Sequence, residues 1–254
     1  MHFNVSKKNI LITGGTSGIG LMLAQRFSEA GAHVIIVGRR ASGQYIADKL
    51  NIYFLSADVT NETAMADLFA SAEAKIGKLD VLILNAGDGS LGEPLSNTNE
   101  DTFDHVFSAN VKSTFFGLKH GPAHMQDGGA IICTSSAATA YRLPMFEPYV
   151  SSKASINSLV KSAALELGDR AICVNAVCPS GVATEMAPYD AVLDVKIGKL
   201  SALGKAFMTE TQIVGIYHFL SSEEGSFITG QSIYVDGGLG IGCTAAVMTS
   251  IMES

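Results

Sequence analysis

Apolar residues in this chain gather in short runs separated by longer stretches of mixed polarity. Asn9–Thr13, 34–37, 52–56, Leu79–Leu84, 130–134, 172–177 and Ser232–Val235 are runs of strand length, most rich in β-branched residues or leucine. Between them, apolar positions recur at helical spacing. Leu21, Leu23, Ala24 and Phe27 form one such stripe, ended by Gly31. A second helix is expected over 61–76, with Asn61 or Thr60 as its cap. A third reads as one long helix over 102–125, breaking at Gly121-Pro122. It carries Asn110 at its centre, where asparagine is a poor helix former. Further helices are expected from Tyr149 to about Leu167 and over 211–220. Segment 185–204 interleaves Met186, Pro188, Tyr189, Val192 and Leu193 with charges; a mobile lid and an ordinary surface helix both fit. The tail from Leu239 is apolar but has no strong period. Strands that are apolar throughout, with helices between them, predict a parallel sheet covered on both faces. The expected fold class is α/β: one doubly wound parallel sheet of about seven strands, in a single domain over 1–254.

Composition narrows the partners. Charged residues make up 16% of the 254 and the net charge is −7, which argues against a nucleic-acid partner. Cys133, Cys173, Cys178 and Cys243 form no CxxC pair and no zinc spacing, so free thiols in a reducing compartment are expected. Residues 1–8 lack the apolar core of a signal peptide, and no apolar run reaches membrane-spanning length. A cytoplasmic protein without a membrane partner is the expectation. His120 and His124 share a helix face, but the intervening Gly121-Pro122 spoils its geometry and no carboxylate completes a ligand set; no metal is expected.

The chemistry begins where the first strand enters Gly14-Gly15-Thr16-Ser17-Gly18-Ile19-Gly20. Glycine permits a tight strand-to-helix turn, and the helix behind it offers free N–H groups to a pyrophosphate. Strand, turn, helix and strand within about thirty residues make a βαβ unit. The second strand ends in Gly38-Arg39-Arg40, with no acid before Asp48. Arginine there suits the 2′-phosphate of NADP, whereas an acid would suit the ribose of NAD. Later strand ends carry Asp58-Val59, Asn85-Ala86-Gly87, Ser135-Ser136 and Pro179-Ser180-Gly181. Tyr149 and Lys153, four apart, lie on one helix face. An ammonium beside a phenol favours the phenolate, so the pair is a candidate general acid/base; a tyrosine stacked on a lysine stem is the plain alternative.

Taken together, these residues resemble the short-chain dehydrogenase/reductase family, from Thr13 to Gly238. The resemblance implies a Rossmann fold binding NAD(P), with Gly14, Thr16, Ser17, Gly18, Ile19 and Gly20 as the cofactor turn. Arg39 and Arg40 would select NADP(H), with NAD(H) as the alternative. Asp58 and Val59 would meet the adenine, followed by the strand-end motif Asn85, Ala86 and Gly87. Pro179, Gly181, Val182 and Thr184 would lie near the nicotinamide. Ser180 departs from the family, which usually has glycine there. Asn110, Ser136, Tyr149 and Lys153 fall in the order of its catalytic tetrad, Ser136 standing thirteen residues before Tyr149. Asp236-Gly237-Gly238 matches its closing motif. The implied activity is an oxidoreductase interconverting a ketone and a secondary alcohol, with Tyr149 as acid/base and Lys153 lowering its pKa. Asn110 would hold a water that links Lys153 to solvent. A non-redox cofactor-binding regulator is the rival reading. The substrate segment is expected near 183–208, with Leu143, Met145 and Phe146 completing an apolar pocket. A homotetramer is also expected.

Overall fold

A computed structural model describes residues 3–89, 92–141 and 143–253. Of the loop expected at 88–92, Ser90 and Leu91 lie outside the described residues. Seven parallel strands form the main sheet in the order β3-β2-β1-β4-β5-β6-β9. They are β1 (Asn9–Thr13), β2 (His33–Gly38), β3 (Tyr53–Ser56), β4 (Leu79–Leu84), β5 (Met125–Thr134), β6 (Cys173–Pro179) and β9 (Ser232–Val235). A separate two-residue ladder pairs β7 (Gly181–Val182) with β8 (Phe207–Met208). The helices are α1 (Gly18–Glu29), α2 (Gly43–Leu50), α3 (Glu62–Ile76), α4 (Glu100–Phe107), α5 (Ser113–His120), α6 (Ala138–Tyr141), α7 (Glu147–Glu166), α8 (Ala191–Gly198), α9 (Glu210–Leu220) and α10 (Ala245–Met252).

Alternation along each strand divides the core into two layers. Ile10, Ile12, Val81 and Ile83 point one way and meet Leu23, Ala24 and Phe27 of α1 and Ile213 and Tyr217 of α9. Leu11, Leu82, Leu84 and Ile131 point the other way and meet Met65 and Phe69 of α3 and Ile156 and Val160 of α7. The order reverses between β1 and β4, so a crevice opens at their carboxyl ends, where ligands bind in such sheets.

Three departures from the expected elements have physical causes. The long helix is broken: a π turn at Ser108–Lys112 separates α4 from α5, and a 3-10 turn at Gly121–His124 follows. Asn110 sits in the π turn, fully buried. Helix α2 buries only Gly43 and Ala47, so it leaves no apolar stripe to read. Helix α10 buries none of its residues. Asn61 does cap α3, its side chain accepting from the Ala64 N–H at 3.0 Å.

Candidate active site

The turn after β1 is shaped by what it cannot hold. Gly14 has φ +66°, and a Cβ there would lie 2.9 Å from Ala86 Cα. A Cβ on Gly20 would lie 2.2 Å from the Gly14 carbonyl oxygen. Only glycine lets β1 and α1 meet this closely. Ser17 precedes α1 without capping it through its side chain, so the first N–H groups of α1 stay open. They face a cavity whose walls include Gly14, Ser17, Gly18 and Ile19, and the positive helix end suits a pyrophosphate. Asn85 braces the turn from β4. Its Nδ2 donates to the Thr13 carbonyl at 3.2 Å, and its Oδ1 accepts from Thr134 Oγ1 at 3.1 Å. Thr13 Oγ1 accepts the N–H groups of Asn85 and Ala86 at 3.0 and 3.1 Å.

Two cavities, of about 360 and 400 Å³, share Gly14, Ala86, Gly87 and Asp88. The second runs along the ends of β2 and β3, past Thr16, Gly38, Arg39, Arg40, Asp58 and Val59. Both arginines are exposed. A Cβ on Gly38 would lie 2.9 Å from Thr16 Cγ2, so an acidic side chain does not fit there without displacement. Asp58 is held by the Thr60 N–H at 3.0 Å and the Thr60 hydroxyl at 2.7 Å. Those bonds, joined by the Arg39 charge, keep its carboxyl below the usual range. The shape, the open N–H groups and the cationic end fit a phosphorylated dinucleotide.

The first cavity brings Ser136, Tyr149 and Lys153 together with Pro179, Gly181, Val182 and Thr184. Ser136 stands close enough to Tyr149 to act on its phenol, and its Oγ accepts the Ala138 N–H at 3.2 Å. Lys153 Nζ donates to the Thr134 carbonyl at 2.9 Å and lies 5.8 Å from the centre of the Tyr149 ring. Asn110 stands behind the cavity wall. Its Nδ2 donates to the Asp88 carbonyl and to Ser152 Oγ, both at 2.9 Å, and its Oδ1 accepts from the Asp88 N–H at 2.9 Å. Ser152 Oγ in turn donates to the Tyr149 carbonyl at 2.7 Å. A Cβ on Gly87 would lie 2.5 Å from Asn110 Oδ1 and 3.1 Å from Lys153 Nζ, so these two groups flank Gly87.

The electrostatics differ from the expectation in one respect. Burial raises the Tyr149 phenol above its ordinary value, opposed chiefly by the Ser136 hydrogen bond. Burial also pulls the Lys153 ammonium down to about 8, so the pair shares one desolvated site. Lys153 does not by itself make Tyr149 acidic.

Ser180 adopts no positive φ, which is why a side chain is accepted there. Its hydroxyl donates to the Ala206 carbonyl at 3.0 Å and fastens β7 to the chain entering β8. The wall of the first cavity also contains Asp88, Ala138, Tyr141, Leu143, Glu185, Met186 and Ala187. Leu143 and the residues after Thr184 stand where the sequence placed them. Met145, at φ +74°, is half exposed, and Phe146 packs by Gly92 instead of lining the cavity. Asp88, His105 and Tyr141 escaped the sequence reading because each arrives from a loop or helix end without a motif. His120 pairs with Glu62 at 3.1 Å and His124 with Glu73 at 2.6 Å, both on α3.

The sequence was compared with known proteins. A family profile described as enoyl-(acyl carrier protein) reductase matches residues 14–240. The mitochondrial borneol dehydrogenase of Lavandula x intermedia is 36% identical over 251 residues, covering 97% of this chain and 96% of its own. The chain belongs to the short-chain dehydrogenase/reductase family. It is an oxidoreductase acting on alcohol and carbonyl groups, and its family uses NAD(P). A short-chain dehydrogenase/reductase of Mycobacterium ulcerans superposes with a TM-score of 0.89 at 28% identity, over 98% of this chain and 96% of that one. Another, from Burkholderia cenocepacia and solved in complex with NADP, gives 0.86 at 26% identity over 93% and 99%. Among the described residues, no helix is long and apolar enough to cross a membrane.

Proposed function

We propose that this dehydrogenase/reductase interconverts an apolar ketone and its secondary alcohol with NADP(H). The observation that carries the reading is the meeting of Ser136, Tyr149 and Lys153 in one cavity walled also by Ala138, Leu143, Val182 and Met186. When bound, NADP(H) supplies the hydride. Gly14, Thr16, Ser17, Gly18, Ile19 and Gly20 would hold its pyrophosphate through backbone N–H groups. Asp58 and Val59 would border the adenine. Asn85, Ala86 and Gly87 would support the middle of the dinucleotide. Pro179, Gly181, Val182 and Thr184 would flank the nicotinamide.

In the reducing direction, Tyr149 delivers its hydroxyl proton to the carbonyl oxygen as negative charge builds there. Ser136 donates a second hydrogen bond to that oxygen, fixed in place before the reaction. Its raised pKa keeps Tyr149 protonated, as a donor requires. Lys153 would donate to the ribose hydroxyls of the cofactor and would return a proton to Tyr149. Asn110 holds Asp88 and Ser152 on either side of this relay, and a water near it would connect Lys153 to solvent. The borneol dehydrogenase relative supports an apolar alcohol as substrate.

The NADP preference rests on Arg39 and Arg40 and on the lack of room for an acid at Gly38. A guanidinium binds a phosphate through two charge-assisted bonds. The test is the ratio of kcat/KM for NADPH over NADH with a ketone panel. Wild type should favour NADPH, and Arg39→Ala with Arg40→Ala should cut the ratio at least about tenfold. A wild type that prefers NADH assigns the site to NAD, and cofactor binding without turnover of any ketone or alcohol would favour a regulator.

A further inference from the structure

The cavity wall formed by residues 134–153 carries six polar side chains; four are engaged within the protein and a fifth, Tyr149, serves the reacting oxygen. Thr134 Oγ1 bonds Asn85 at 3.1 Å, Ser135 Oγ donates to the Lys153 carbonyl at 3.0 Å, and Lys153 Nζ donates to the Thr134 carbonyl. Ser136 Oγ accepts the Ala138 N–H at 3.2 Å, and Tyr149 is the group that meets the reacting oxygen. The sixth is Tyr141, the last residue of α6, on the same wall. Among the described residues its hydroxyl has no hydrogen-bond partner. The phenol lies near Tyr149 and Asp236. Asp236 is itself committed, accepting the N–H groups of Gly238 and Gly240 at 2.9 Å each.

A hydroxyl in a mostly apolar cavity, with no protein partner, is a binding group for something that enters. Burial and those two neighbours push the Tyr141 phenol up to about 12, so it remains a neutral donor and acceptor at working pH. Two acidic residues, Asp88 and Glu185, also line the cavity, and Asp88 is paired with His105 at 2.9 Å. They disfavour a second group that is anionic, such as a carboxylate or phosphate.

We propose that Tyr141 is a specificity-determining residue whose phenol hydrogen-bonds a second, uncharged oxygen of the substrate, while the reacting oxygen faces Tyr149. The preferred substrates are then hydroxyketones, or the corresponding diols, on an apolar frame. This rests on the ketone/alcohol reading given above.

The test compares cyclohexanone with 2-hydroxy- and 4-hydroxycyclohexanone in wild type and Tyr141→Phe. At least one hydroxyketone should show a higher kcat/KM than cyclohexanone in wild type. That preference should fall about tenfold in Tyr141→Phe, the size of one lost hydrogen bond. A loss shared equally by all three ketones, or a wild type indifferent to the extra hydroxyl, overturns the proposal. Calorimetric titration of the NADP-loaded protein with cyclohexanol and with 1,2- and 1,4-cyclohexanediol supplies a second readout. If wild type reduces none of the ketones, the proposed reaction fails for this class. The ratio of diol to monoalcohol affinity then decides Tyr141: a fall in Tyr141→Phe upholds it, and an unchanged ratio overturns it.

Discussion

Replacing Tyr149 by phenylalanine removes one hydroxyl and leaves the ring against the same walls. Tyr149→Phe should lower kcat by about 10²–10⁴, the usual worth of a positioned acid/base, with the dissociation constant of NADPH nearly unchanged. Stopped-flow turnover and fluorescence titration measure the two, and near-normal turnover would assign the proton to another group. Lys153 makes a prediction about pH. Its ammonium form is the one that can donate to ribose hydroxyls, and in the free protein it titrates at about 8. Below that value the charge is present. Above it, binding must take up a proton, so NADPH affinity weakens as pH rises. Titrations from pH 7 to 9.5 should show this slope in wild type and lose it in Lys153→Met; the same slope in both would remove Lys153 from the cofactor site. The positions of Tyr149 and Lys153 were legible in the sequence because their spacing puts them on one face of α7, and Ser136 was legible from its place after β5 and its interval to Tyr149 in the family pattern. Their pKa values were not. These depend on burial by β5 and β6, whose Cys133 and Cys178 lie on the sheet face that α7 covers.

Two carboxylates organise the segment that contains helix α8. Asp190 caps the helix through the N–H groups of Val192 and Leu193, at 2.8 and 3.0 Å. Asp194 then accepts the N–H groups of Ala206 and Phe207 at 2.8 and 2.9 Å, and these bonds hold its carboxyl below the usual range. Asp194→Ala frees both N–H groups where the chain enters β8. The expected result is a several-fold rise in KM for the ketone, faster proteolysis within 183–208, and a melting temperature close to wild type, because α8 buries only Gly198. Unchanged proteolysis would mean that Asp194 does not hold the segment. Sequence periodicity left this region open between lid and surface helix, since its apolar residues Val192 and Val195 face solvent. The π turn was hidden for a different reason. Its residues continue the helical pattern of α4 and α5, and only the buried hydrogen bonds of Asn110 distinguish it.

Across the whole molecule, a parallel sheet with helices on both faces follows from apolar strands alternating with helices, whereas the strand order depends on pairings between distant strands that no local pattern records. The exposed apolar residues that remain are what a single chain cannot explain. Phe103 on α4 and Phe115 on α5 are 44% and 47% exposed, and Leu165 near the end of α7 is 87% exposed. Helices α4 and α7 pack against each other, so these residues belong to neighbouring elements on the same side of the sheet. Scattered exposed leucines are ordinary, but large apolar side chains on adjoining helices suit a surface that another copy covers. A stable contact needs about 800 Å² from each partner. A two-fold axis pairing α4–α5 and α7 with their counterparts, repeated about a second axis, gives four chains. Sedimentation velocity at micromolar concentration should therefore give a species of four chains. Leu165→Glu and Phe115→Glu should each move it toward smaller species, because a carboxylate buried at a symmetric contact meets its own copy. A wild type that sediments as one chain at that concentration would leave these residues as ordinary surface and remove the tetramer.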